Sequence, residues 1–173
     1  MSNSEFRMLI NNLTQDMLDL YGIQSPITDM TNVVALLGGR VVEISDLGKM
    51  PAGNMKREGE GFVIYIPSFS SQGRKNWGIA QELGHLFLHM GYRISPALWD
   101  KYNDESFYHS KDVMEEYQAN EFAAALLMPQ ETYEKITAKN TTGNIVHTRY
   151  IADFFGTTVA AVSNRGMSLG YLG

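Results

Sequence analysis

Cysteine is missing from this chain altogether. Its absence excludes a disulfide framework and any thiolate metal site, and it suits a reducing compartment. Long apolar runs are missing too. No segment approaches the ~18 apolar residues that would cross a membrane. The first stretch, MSNSEFRMLINNLTQDMLDLYG, lacks the basic start and unbroken apolar run of a secretory leader. The expected location is therefore the cytoplasm, with no membrane partner. Lys/Arg runs are also missing, and the formal net charge is −5. Nonspecific nucleic-acid binding draws most of its affinity from basic groups facing phosphates. No direct nucleic-acid contact is expected, while a protein partner stays open. Neither an internal repeat nor a low-complexity tract is found.

What is present is ordinary for a soluble globular protein: 44% apolar and 19% charged residues in a chain of 173. That length predicts one domain with a sizeable core. Residues 4–21 place Phe6, Leu9, Ile10, Leu13, Met17, Leu18 and Leu20 at mostly helical spacing, and Gly22 ends the run. After a break at Ser25-Pro26, residues 28–37 read as a second helix, capped by Thr28 or Asp29 and stopped by Gly38-Gly39. Residues 40–45 and 61–66 are β-branched and aromatic runs that read as strands. A third short strand is expected around Asn54–Lys56. Helical patterning returns from Asn76 to about His89. Residues 91–111 read as an irregular excursion with one short helix. Residues 112–128 form a strong helix ended by Pro129. Residues 144–170 read as two short helices joined at Gly156-Thr157-Thr158. This order predicts an α+β domain, a small antiparallel or mixed sheet packed on helices, closed by a C-terminal helical pair. Within one domain, residues 1–27 form an N-terminal helix, 28–143 the core and 144–173 the closing segment.

Residues 79–89 read Ile-Ala-Gln-Glu-Leu-Gly-His-Leu-Phe-Leu-His. The zinc-peptidase signature is His-Glu-x-x-His on a helix. Positions i and i+4 lie about 40° apart around a helix, so two side chains there hold one ion from the same face. The Glu at i+1 stands beside the ion, placed to take a proton from a metal-bound water whose pKa is lowered to about 7. Glu82 and His85 occupy the base and second-ligand positions. Gln81 stands at the first ligand position, and its amide oxygen is a neutral, weak donor outside the usual zinc set. His89, one turn beyond His85, either joins a metal site or supports the ligand from behind. A hydrogen-bonded Glu–His pair without metal is the plain structural alternative.

A site of this type needs a further ligand from another helix. In Glu115-Glu116-Tyr117-Gln118-Ala119-Asn120-Glu121-Phe122-Ala123, the small residues Ala119 and Ala123 line the face of Glu116 at i+3 and i+7. Small residues let two helix backbones approach, which would carry Glu116 to an ion on its neighbour. Taken alone, this stretch also reads as an alanine-rich core helix with an acidic start.

Together, Ala-Gln-Glu-Leu-Gly-His-Leu-Phe-Leu-His and Glu-x-x-Ala-Asn-x-Phe-Ala-Ala-x-Leu-Leu-Met-Pro resemble the ImmA/IrrE family of metallopeptidases, over roughly residues 28–172. The tail from Ile151 to Gly170 resembles the short helix-turn-helix that closes many members. The resemblance implies a zincin-like endopeptidase fold of the gluzincin type. It implies zinc as cofactor, His85 and Glu116 as ligands, Gln81 at the remaining ligand position and Glu82 as general base. It also implies a protein or peptide substrate: members relieve a helix-turn-helix repressor in bacterial, phage or mobile-element switches, or stand beside a toxin–antitoxin partner. Gln81 departs from the family pattern. Three readings stay open: a natural pseudo-peptidase that keeps a partner-binding surface, a deliberate His→Gln change, and weak metal binding through the Gln oxygen.

Tyr92, Tyr108, His109 and His147 are candidate donors to an oxyanion by residue type alone. Trp99, Tyr102, Phe107 and Tyr108 either line a groove for an extended peptide or anchor the excursion to the core. The second tail helix offers Arg165 as its one base, too few for a nucleic-acid footprint. Two function classes follow: a zinc endopeptidase impaired by Gln81, and a non-catalytic regulatory module that grips its partner through the old substrate groove.

Overall fold

A computed structural model describes residues 3–172. Helix α1 spans Asn3–Tyr21 and α2 spans Met30–Leu36, whose first turn is capped by the Asp29 carboxylate accepting from Thr31 N at 2.9 Å. Strands β1 (Gly39–Ile44), β2 (Met55–Glu58) and β3 (Gly61–Pro67) follow, with a single 3₁₀ turn at Leu47–Lys49. Helix α3 runs from Gln72 to Leu88, and a short α4 covers Pro96–Trp99. A two-residue strand β4 (Phe107–Tyr108) precedes α5 (Val113–Leu127) and α6 (Gln130–Lys139). A small hairpin, β5 (Thr141–Thr142) and β6 (Ile145–Val146), leads into α7 (Thr148–Phe155) and α8 (Val159–Leu169).

The main sheet has the order β1-β3-β2-β4. β1 runs parallel to β3, while β2 pairs antiparallel with β3 and β4. The sheet is therefore mixed, within the α+β class expected from the sequence. β3 is central and reads as a near-continuous apolar run, with Phe62, Val63, Ile64 and Ile66 buried. A strand covered on both faces requires such a run.

Helix α5 is the centre of the helical layer. Residues Phe122 to Leu127 are buried without a polar interruption, because α3 packs on one side of it and α1 on another. A helix apolar on nearly every side must lie inside the molecule. Gly84 of α3 faces Ala119 of α5 so closely that an added Cβ would stand 2.9 Å from the Ala119 Cα and 3.0 Å from its carbonyl oxygen. Of the two small residues read from the sequence, Ala119 stands where the two backbones come together, and its small partner is this glycine.

Two buried polar side chains tie the layers. Asn76 is fully buried; its Oδ1 accepts from Met30 N at 3.1 Å, and its Nδ2 donates to Thr28 O at 3.0 Å and Gly156 O at 2.7 Å. It joins the start of α2, α3 and the α7–α8 turn. Arg165 is 1% exposed and donates to Met128 O and to Asn11 Oδ1. The single base of α8 thus points into the core and holds α1 and the end of α5.

Several elements differ from the sequence reading. α3 begins four residues before Asn76, at a turn capped by Ser71. Residues 144–147, read as the start of a helix, instead complete the small hairpin, and α7 begins only at Thr148. β4 and α6 carry no expectation from the sequence.

Candidate active site

The site is built where α3, α5 and the β2–β4 edge meet. Gln81, Glu82 and His85 project from α3, and Glu116 comes from the first turn of α5. They line a cavity of about 110 Å³. Asn54, ahead of β2, and the run Tyr108-His109-Ser110 close its other side. All four principal positions read from the two motifs are therefore brought together.

Gln81 Nε2 donates to Glu116 Oε2 at 2.9 Å. The other Glu116 oxygen lies 3.4 Å from His85 Nε2. His85 is buried, and burial pushes its pKa below the ordinary value, against the opposing pull of Glu116. A neutral imidazole follows, with one proton to place. His85 Nδ1 lies 3.0 Å from His89 Nδ1, and His89 Nε2 lies 2.9 Å from Gln118 Oε1. An amide oxygen only accepts, so His89 carries its proton on Nε2. Its bare Nδ1 then accepts from His85 Nδ1–H. That leaves the His85 Nε2 lone pair facing Glu116 and the cavity. His89 and Gln118 thus set the tautomer of His85 from behind, the supporting arrangement usual for metal-binding histidines.

Glu82 is held by Asn54, whose Nδ2 donates to Oε1 at 3.0 Å. Burial pushes the Glu82 carboxyl up to about 7, with a smaller upward push from Glu116 and a downward one from Asn54. A carboxyl poised near neutrality suits a group that takes and returns a proton. The strain has a thermodynamic signature. Between the ordinary value of 4.5 and about 7, the folded chain holds a proton that the unfolded chain has released. Stability therefore falls as pH rises through that window. Glu82→Gln, which keeps an acceptor for Asn54, is expected to unfold like the parent at pH 4. At pH 8 it should be more stable by about 2 kcal/mol, roughly 4–8 °C in midpoint. Thermal unfolding at the two pH values checks this, and a gain of equal size at both would refute it.

Among the candidates by residue type, Tyr108 and His109 line the cavity. The Tyr108 hydroxyl donates to Glu115 Oε2 at 2.7 Å, and burial followed by that bond raises its pKa strongly. Tyr92 is not in the site: it is buried and donates to Leu37 O. His147 is not there either, standing before α7 beside Thr142 and Tyr150. Trp99 is buried, packed edge-on to Tyr92 with the Arg57 guanidinium over its ring, so it anchors the excursion. Tyr102 stacks edge-on with Tyr108, and Phe107 stays partly exposed on β4. Sequence reasoning missed Asn54, Glu115 and Gln118 as partners of Glu82, Tyr108 and His89. Of the three, Gln118 alone carried a signal, standing on the face of α5 that follows Glu115.

The donor set decides how far a zinc ion fits. The His85 Nε2 lone pair and Glu116 Oε1 are two acceptors facing each other, as ligands of a cation would be. The remaining position, Gln81, offers a neutral amide whose NH₂ is spent on Glu116. Among the described residues no group of three or more His, Cys, Asp or Glu is placed to hold a metal. Three strong protein ligands are the usual catalytic zinc set. The residues present fit it at two positions and not at the third.

Residues 39–167 match the peptidase family described as the IrrE N-terminal-like domain. Zinc is the metal expected of that family. A solved structure of a Mycobacterium tuberculosis transcriptional regulator superimposes with a TM-score of 0.56 at 16% identity. The likeness covers 93% of this chain and 46% of the regulator, so the chain spans about half the length of that relative. It shows a shared fold. Comparison with the curated proteins gives no match.

Proposed function

Because the chain belongs to the peptidase family of the IrrE N-terminal-like domain, we propose that it is a regulatory protein of peptidase type that takes an extended segment of a protein partner into the α3–α5 cleft. Hydrolysis of that segment is the chemistry the architecture was built for, and it is impaired in this chain. The observation that carries the reading is the Gln81–Glu116 hydrogen bond of 2.9 Å. It uses the carboxylate that would serve as a ligand and leaves a weak donor where a histidine is needed. Everything around it is kept. His85 presents a lone pair, Glu82 is poised near neutrality, and Tyr108 and His109 stand across the cavity. No hydrolytic step is assigned to the chain as it stands.

The family supports a protein partner, and the choice among partners is part of the proposal. A DNA-binding repressor or an antitoxin of a bacterial, phage or mobile-element switch is the preferred partner, gripped or cut to relieve repression. Arg165 is buried, which favours a protein-facing or closing role for the α7–α8 pair. No helix of the described residues is long and apolar enough to cross a membrane, which favours action in the cytoplasm.

The test is a titration of the ¹⁵N-labelled protein with a pool of random decapeptides. Amide shifts should gather at Asn54, residues 78–85, Tyr108 to Ser110 and the start of α5. A separate groove of about 570 Å³ between α1, α5 and α8, around Tyr117 and Asn164, should stay silent. Shifts confined to that groove, or none anywhere, would sink the reading.

A further inference from the structure

Glu82 and Asn54 line two cavities at once. One is the cleft just described. The other holds about 160 Å³ and is bounded by Met50, Tyr65, Ile66, Gly78 and Arg74. The two meet at Glu82, and neither motif of the sequence accounts for the second.

Gly78 stands one helical turn before Glu82, and Arg74 one turn before Gly78, so the three share a face of α3. Glycine inside a helix costs about 1 kcal/mol relative to alanine. Gly84 has a packing reason, since the α5 backbone lies against it. Gly78 has none of that kind: an added Cβ would meet nothing within 4 Å. What the missing side chain leaves is open space beside Glu82. The floor of the cavity is apolar, made by Met50, Tyr65 and Ile66. Two cations stand at its end. Lys75 is neutralised, its Nζ lying 2.9 Å from both oxygens of Glu43. Arg74 is exposed and makes no ion pair among the described residues.

We propose that this second cavity is a specificity subsite for an acidic side chain of the bound segment, a glutamate whose stem crosses Gly78 and whose carboxylate meets Arg74. The proposal rests on the cleft taking an extended protein segment. It adds which segment is chosen. The guanidinium sets the polarity: Arg74 attracts a carboxylate and the cavity offers no cation at the Glu82 end, so an acidic tip is drawn away from the reacting end. A planar guanidinium also matches a carboxylate with two parallel hydrogen bonds. The occupant is one side chain on an apolar floor, so a stem of methylene groups fits better than a short polar residue.

The test uses fluorescein-labelled decapeptides, random except for one fixed residue at each position in turn, read by anisotropy. The parent chain, Arg74→Glu and Gly78→Leu are compared. At one position, fixed Glu is expected to bind roughly three- to tenfold tighter than fixed Lys, the range of a partly solvated ion pair. Arg74→Glu should invert that preference. Gly78→Leu should abolish it with no fall in unfolding midpoint, because the new side chain enters open space. Binding without an acidic preference, or the same preference in Arg74→Glu, overturns the subsite and leaves the cleft reading intact. No binding of any peptide by the parent chain overturns both.

Discussion

Gln81→His is expected to raise zinc content from far below one ion per chain to near one, and to switch on peptide hydrolysis. The exchange replaces a neutral amide oxygen with an imidazole nitrogen at the first ligand position. It also releases Glu116 from the 2.9 Å hydrogen bond that now holds it. Loss of an outer partner of a metal ligand costs about 10- to 100-fold in affinity. A direct ligand weighs more, so a gain beyond roughly 100-fold is expected. A bound zinc ion makes hydroxide available near neutral pH, and Glu82 is already poised to manage the proton. Elemental analysis of both proteins, with cleavage of the decapeptide pool followed by mass spectrometry, measures the change. Adding Glu82→Gln should remove the new activity while the zinc stays. If Gln81→His holds no zinc and cuts nothing, the hydrolytic part of the reading fails. The binding part would then have to stand on the titration alone.

Gly84→Ala is expected to destabilise the fold, although alanine is the better helix former. The new methyl would stand 2.9 Å from the Ala119 Cα, 3.0 Å from the Ala119 oxygen and 3.2 Å from the Phe122 Cβ. Two of these neighbours are backbone, and backbone inside a packed helix pair yields only by moving a helix. Overpacking of this kind costs about 1–3 kcal/mol. The propensity gain of up to about 1 kcal/mol offsets part of it. A net loss of roughly 1–2 kcal/mol, or 2–8 °C in midpoint, follows. The site should suffer too, because parting α3 from α5 draws Glu116 away from Gln81 and His85. In the Gln81→His background, Gly84→Ala is therefore expected to lower zinc affinity as well as stability. Gly78→Ala supplies the contrast on the same helix: its Cβ meets open space, so it should be neutral or stabilising. Equal effects of the two substitutions would contradict the packing account.

Much of this was legible beforehand. The two helices that carry the site declared themselves through motif spacing and through the alanines that let them approach. Four of the side chains that line the cleft were named from those motifs. The strands β1 and β3 showed as β-branched runs. The rest was hidden for physical reasons. The first turn of α3, Gln72-Gly73-Arg74-Lys75, has no apolar residue to mark a helical face, and only the cap at Ser71 marks it. β4 is two residues long and exists because β2 offers it an open edge, which a local pattern does not encode. Helix α6 follows directly on Pro129, and its buried residues Tyr133 and Thr137 are too few and too mixed to announce a face. Asn54 escaped because its bond to Glu82 joins residues 28 positions apart. Tyr92 and His147 were candidates by chemistry alone, and chemistry without position placed both outside the cleft.

The bond from Arg165 to Asn11 spans nearly the whole chain. It fixes α1 to the last helix across α5, yet α1 lies wholly ahead of the stretch, residues 39–167, that matches the family. The unit recognised by sequence is therefore smaller than the unit that must fold. Cut at the family boundary, the piece would keep every candidate ligand. It would leave the guanidinium without its side-chain acceptor and the α1-facing side of α5 bare to water. A trimmed domain, convenient to clone, would be a sticky one.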